Sequence, residues 1–76
     1  MKLIKYVKVY GKNIELMDDT EEVIMNMLKD IRIRQKKIIE NMHSNAQIID
    51  LVTKNGFSVN YKLSNGEISY VKYSVE

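Results

Sequence analysis

The chain has no cysteine, no proline and no tryptophan, a single histidine, and only three glycines in 76 residues. Each absence narrows the reading. Without cysteine no disulfide braces the fold, and the composition suits a reducing, cytoplasmic setting. His43 is the only imidazole, so a structural zinc site lacks its donors and no metal is expected. The adjacent His43 and Ser44 form no nucleophile–base pair, and no second histidine or thiol exists to complete one. All three glycines sit in turn contexts, leaving no phosphate-cradling loop and no nucleotide cofactor to expect. No apolar run approaches the ~18 residues of a membrane span. The opening MKLIKYVKVY is interrupted by lysines, so neither a signal peptide nor a membrane partner is expected.

Charge of one sign is also scarce. Twelve basic residues against ten acidic ones give a net charge of +2, little for a nucleic-acid binder. The length predicts one domain, residues 1–76. A chain this short buries only about 60% of its unfolded surface, and with disulfides and metals excluded, self-association is the remaining reinforcement. Lysine, isoleucine, asparagine and tyrosine are heavily used. That bias accompanies AT-rich genomes, and with it goes the expectation of a phage or mobile-element origin.

What is present reads as alternating strands around one helix. In KLIKYVKVYGKNIELM, Val7 and Val9 alternate with Lys8 and Tyr10, and Ile14 and Leu16 flank Glu15. A two-residue turn at Gly11-Lys12 predicts a hairpin over residues 2–17, with Val9 opposite Ile14, Val7 opposite Leu16 and Lys8 opposite Glu15. The segment DDTEEVIMNMLKDIRIRQKKIIENMH reads as a long helix of good helix formers. Asp18 or Asp19 would cap it and Ser44-Asn45 would stop it. Residues 46–54 carry two signals. Ser44 and Gln47 have capping-box spacing and Ile48, Leu51 and Val52 share a helical face, which favours a short helix closed by Asn55-Gly56. The β-branched Ile48, Ile49, Val52 and Thr53 support the rival strand. The tail, residues 57–75, predicts a hairpin turned at Asn65-Gly66, with Leu63 opposite Ile68 and Tyr61 opposite Tyr70. In that register the last strand is two-faced: Ile68 and Tyr70 point one way, Val71, Tyr73 and Val75 the other. A bulge would reconcile them, or a cover on both sides.

The fold class expected is therefore α+β: an antiparallel sheet of two β-hairpins with one long helix, and optionally a short second one, packed on one face. The expected core is Leu3, Val7, Val9, Ile14, Leu16, Ile24, Leu28, Ile31, Ile38, Met42, Leu51, Phe57, Val59, Tyr61 and Leu63.

The helix contains the chain's densest cationic stretch, IRIRQKKII, residues 31–39. On a helical wheel Ile24, Leu28, Ile31, Gln35, Ile38 and Met42 form one stripe, with Met27 and Ile39 beside it. Lys29, Arg32 and Lys36 gather on one shoulder, Arg34 and Lys37 lie toward the other, and Ile33 points away from the stripe. Scattered in this way, the cations read first as shields of a packed helix. Lys29, Arg32 and Lys36 beside Ile33 and Met25 would also make an amphipathic contact surface, or a weak phosphate-binding patch. The stripe's 4-3 spacing further permits pairing of two copies of the helix.

The Asp18, Asp19, Glu21 and Glu22 cluster fits helix capping better than a metal site, having no calcium-loop ligand spacing. Tyrosines and lysines on the strands, Tyr70 and Tyr73 among them, could stack on single-stranded nucleic acid, yet both types are also common in strands and interfaces. With no catalytic constellation, the chain reads as a noncatalytic protein-interaction module. It is expected to be a homodimer that binds or inhibits a larger intracellular protein, a host protein included. Its partner-binding candidates are Lys29, Arg32, Ile33, Lys36, Tyr70 and Tyr73. A small nucleic-acid-binding regulator is the alternative.

Overall fold

In the computed structural model residues 1–8 and 13–76 are described; the predicted Gly11-Lys12 turn and the core assignment of Val9 lie outside them. The elements run β1 (Lys2–Val7), β2 (Asn13–Asp18), α1 (Glu21–Met42), β3 (Gln47–Thr53), β4 (Gly56–Lys62) and β5 (Ile68–Val75). The five strands form one antiparallel sheet in the order β2-β1-β5-β4-β3, and α1 packs on one face, chiefly over β4. This is the expected α+β arrangement.

The segment over 46–54 is a strand, not the short helix its capping-box spacing favours. Its β-branched residues suit a pleated surface, and as a strand it pairs along all seven residues with β4, from Gln47↔Lys62 to Thr53↔Gly56. A helix there would have left that edge of β4 bare. Asn55-Gly56 thus closes a hairpin instead of a helix. Gly56 is required by close approach: a Cβ there would overlap the backbone carbonyl of Tyr73 in β5.

The last hairpin differs from expectation by one residue, and the difference decides the core. The Leu63 amide donates to the Glu67 carbonyl at 2.8 Å across a three-residue loop, Ser64-Asn65-Gly66. In it Gly66 takes φ 88° and donates to the Leu63 carbonyl, and Asn65 accepts from the Glu67 amide at 2.9 Å. Tyr61 therefore faces Ser69, not Tyr70, and Val59 faces Val71. Because side chains alternate with period two, this single step moves Val71, Tyr73 and Val75 onto the same face as Phe57, Val59 and Tyr61. The strand stays two-faced without a bulge, with Val71 and Tyr73 turned to the core and Ile68 and Tyr70 left exposed on the other face.

The first hairpin is the irregular one. Lys5 faces Ile14 and Ile4 faces Glu15, while a bulge between Leu3 and Ile4 brings Leu3 opposite Met17. The expected pairings of Val7 with Leu16 and Lys8 with Glu15 are not formed. β1 lies between β2 and β5 and is aligned along its length with β5, from Leu3↔Val75 to Val7↔Val71.

Helix α1 starts at Thr20, whose Oγ1 accepts from the Val23 amide at 3.4 Å; Asp19, one of the expected caps, instead receives the Thr20 amide at 2.7 Å. The helix ends at Met42, with the His43 amide donating to Ile39 at 2.8 Å.

Leu3, Ile24, Leu28, Ile39, Phe57, Val59, Val71 and Tyr73 form the core between helix and sheet. Ile38 and Met42, placed in the core by the 4-3 spacing, are exposed, and Ile39 is buried instead. At 100° per residue Ile39 lies three turns beyond Leu28 and within about 20° of it, whereas Ile38 lies about 80° off. Met42 is the last residue of the helix. Ile14, Leu16 and Leu51 are exposed as well, the first two on edge strand β2 and the third on the sheet face away from the helix.

Candidate interaction surface

The helix cations meet an acid that lies far from them in sequence. Alternation along β3 places Ile48, Asp50 and Val52 on the helix side of the sheet, opposite Tyr61, Val59 and Phe57. Arg32 grips Asp50 with Nε at 3.1 and 2.8 Å and Nη2 at 2.5 Å, and Lys36 Nζ approaches the same carboxylate at 3.3 Å. The Asp50 side chain is only 14% exposed, whereas both cations stay partly solvated. The Arg32 hydrogen bonds hold the Asp50 carboxyl below its ordinary pKa, outweighing desolvation, and Lys36 adds to the effect; the same hydrogen bonds raise the Arg32 guanidinium. Two cations on one carboxylate leave the cluster with a formal charge of +1.

Beside this cluster runs a groove of about 230 Å³ between α1 and the end of the β3–β4 hairpin. Its walls are mostly apolar, from Met25, Leu28, Val52 and Phe57, and Lys29 and Arg32 stand at its rim. Val52 is 63% exposed although it faces the helix side.

The groove opens onto β3, an edge of the sheet. In a hairpin with a two-residue loop the closing pair, Thr53 and Gly56, exchanges both hydrogen bonds. By alternation Leu51, Ile49 and Gln47 also turn their backbone groups to β4, and Ile48, Asp50 and Val52 turn theirs outward. Among the described residues nothing bonds those outward groups. The strand carries no proline, lysine or bulge to blunt this edge.

Among the described residues no element covers the sheet face away from the helix over β3, β4 and β5. Ile49 and Leu51 form one exposed apolar ridge on β3, and Ile68 and Tyr70 form another on β5. Ser58, Asn60 and Lys62 of β4 lie between them. Tyr6 and Lys72 also face this way, Lys72 Nζ lying 5.5 Å from the Tyr6 ring centre, while the Tyr6 hydroxyl donates to Glu76 at 3.1 Å.

The partner-binding candidates are thus divided. Arg32 and Lys36 come together on Asp50, with the exposed Lys29 nearby at the groove. Ile33 is exposed on the helix. Tyr70 stands on the open sheet face, but Tyr73 is buried under the helix, stacked on Phe57 at 5.0 Å with its hydroxyl 3.4 Å from Gln35. His43 turns its ring onto Tyr61, 5.6 Å between centroids.

Asp50, Ile49 and Val52 were absent from the candidates. The signal for them was the strand reading of 46–54, which puts one acid amid apolar residues and within the sheet's reach of two cations spaced i,i+4. Among the described residues no helix is long and apolar enough to cross a membrane. No protein-family model, no curated protein and no solved structure matches the chain, so its function is read from this surface alone.

Proposed function

We propose that the chain is a noncatalytic protein-interaction module, working in the cytoplasm as its lack of cysteine suits, and that it binds or inhibits a larger protein. One observation carries this reading: the uncovered sheet face, with its two apolar ridges, runs continuously into an unblunted strand edge at β3. Exposed apolar area bordered by polar side chains is what protein contacts bury. An edge of free amides and carbonyls adds directional bonds to a partner strand. A phage or mobile-element origin fits the amino-acid bias and remains part of the proposal.

The test compares partner capture by the unaltered chain with capture by Ile68→Lys and by Leu51→Lys, each first shown to unfold like the parent. The reading expects a protein retained by the parent and lost with at least one of these substitutions. Capture indifferent to both would refute it.

Binding of single-stranded nucleic acid is the second reading, favoured by the shared orientation of Tyr6, Tyr70, Lys62 and Lys72 on the open face. The helix shoulder supports it less, since Arg32 and Lys36 are engaged with Asp50. The protein-binding reading expects nucleic-acid affinity no tighter than the nonspecific range of about 10⁻⁴ to 10⁻⁶ M at physiological salt. Submicromolar binding, weakened by Lys72→Ala and falling steeply with salt, would establish the second reading instead.

A further inference from the structure

We infer that the β3 edge is completed by a second copy of the chain, antiparallel about a two-fold axis at Asp50, joining two five-stranded sheets into one of ten. The inference deepens the protein-interaction reading and rests on it.

The backbone selects the register. The outward groups belong to Ile48, Asp50 and Val52, so a two-fold through Asp50 sets Ile48 against Val52 of the second copy, Asp50 against its equivalent, and Val52 against Ile48. All three are hydrogen-bonded pairs, and all the outward groups of the strand are used. Sliding the copy by two residues in either direction loses one of the three pairs. An odd slide would set the helix side of one copy against the open side of the other.

The side chains agree with that register. On the helix side, the Ile48 of each copy comes against the exposed Val52 of the other, at the mouth of the groove walled by Met25 and Phe57. On the open side, the Ile49 of each copy meets the Leu51 of the other, so the two exposed ridges close into a four-residue apolar cluster. Like charges directly opposite are ordinarily unfavourable. Here each Asp50 already carries Arg32 and Lys36 of its own copy, so the two carboxylates meet compensated and not bare. A strand suited to this edge needs β-branched apolar residues around a central acid, and β3 is such a strand.

The helices do not obstruct the pairing. Helix α1 lies over β4, and two β4 strands would be three strand spacings apart, about 14 Å. A helix with its side chains is about 10–12 Å across. The opposite edge, β2, is a poorer template because it pairs through a bulge and bears Glu15 and Asp18.

The absence of cysteine makes the test direct. Light scattering of the whole chain at about 50 µM should give twice the monomer mass. Ile49→Cys and Leu51→Cys variants are then mixed and oxidised. Facing positions in a non-hydrogen-bonded pair lie about 4.5 Å apart at Cα, within disulfide reach, whereas diagonal ones lie about 7–8 Å apart. The mixed disulfide should therefore form several-fold faster than either homodisulfide, and Tyr70→Cys, two strands inward, should form none. Val52→Pro removes an outward amide without touching the bonds to β4, and it should weaken association at least tenfold with the circular-dichroism spectrum retained. A monomer mass, dominant homodisulfides, or a dimer indifferent to both Val52→Pro and Leu51→Lys would overturn the inference. A monomer that still captures a protein through the open face would leave the interaction reading standing, so the two fail separately.

Discussion

The two edges of the sheet expose apolar side chains to a similar extent, yet they are built differently. On β2, Ile14 and Leu16 are about as exposed as Ile49 and Leu51 on β3. But β2 meets its neighbour through a bulge, and Glu15 pairs with Lys2 across it at 3.6 Å. β3 runs in unbroken register with β4, and its one charged residue is turned to the helix and neutralised there. Apolar exposure alone therefore does not identify an interaction surface. The regularity of the backbone behind it does, because only an even ladder offers a partner strand successive bonds.

The most damaging way to break this contrast is to disturb the ladder from inside. Gly56→Ala would drive a methyl group into the Tyr73 carbonyl, which is backbone of a central strand and has nowhere to move. A loss of about 3 kcal/mol in urea unfolding is expected. That is a large share of the roughly 4–11 kcal/mol typical of a domain this size. Stability within 0.5 kcal/mol of the parent would mean that β4 and β5 lie farther apart than the structure places them.

A smaller effect is expected at Asp50, where the β3 edge is tied to the helix. Its carboxyl pKa is depressed in the folded chain, first by the Arg32 hydrogen bonds. The stabilisation is thus fully present above the unfolded value of about 4 and is lost as pH falls through the folded value. Asp50→Asn should cost about 1–2 kcal/mol at pH 7, with the difference from the parent vanishing toward pH 2. The partial exposure of both cations keeps the figure low. A difference that persists undiminished at low pH would assign the effect to packing and not to charge.

Much of the fold was legible because its signals are local. The helix declares itself by 22 residues without glycine or proline, and the Asn65-Gly66 turn by its left-handed glycine. What misled was parity and period. Asn-Gly marks a turn but does not fix its length, and one extra loop residue exchanged the faces of β5. Spacing of 4-3 pointed to Ile38 and Met42, whereas Ile39, three turns beyond Leu28, is the residue turned inward. Half of the candidate surface was legible too. Arg32 and Lys36 are a visible i,i+4 pair, but their acid lies 18 and 14 residues away, on a segment whose strand character is settled only by the empty edge of β4.

The smallest effects on the folded monomer should come from lysines placed on the two edges, and they separate the edges most finely. Leu16→Lys and Leu51→Lys each replace a solvent-exposed leucine, so each should change the stability of the dilute protein by no more than about 0.5 kcal/mol. They should part in their dependence on concentration. If β3 pairs with a second copy, the melting temperature of the parent rises with protein concentration, because association stabilises only the folded chain. Leu16→Lys should keep that rise and Leu51→Lys should lose it, as followed by thermal melts from about 5 to 500 µM. The same slope in all three proteins would show that the bulged edge and the even one are equally inert, and the contrast between them would have no consequence in solution.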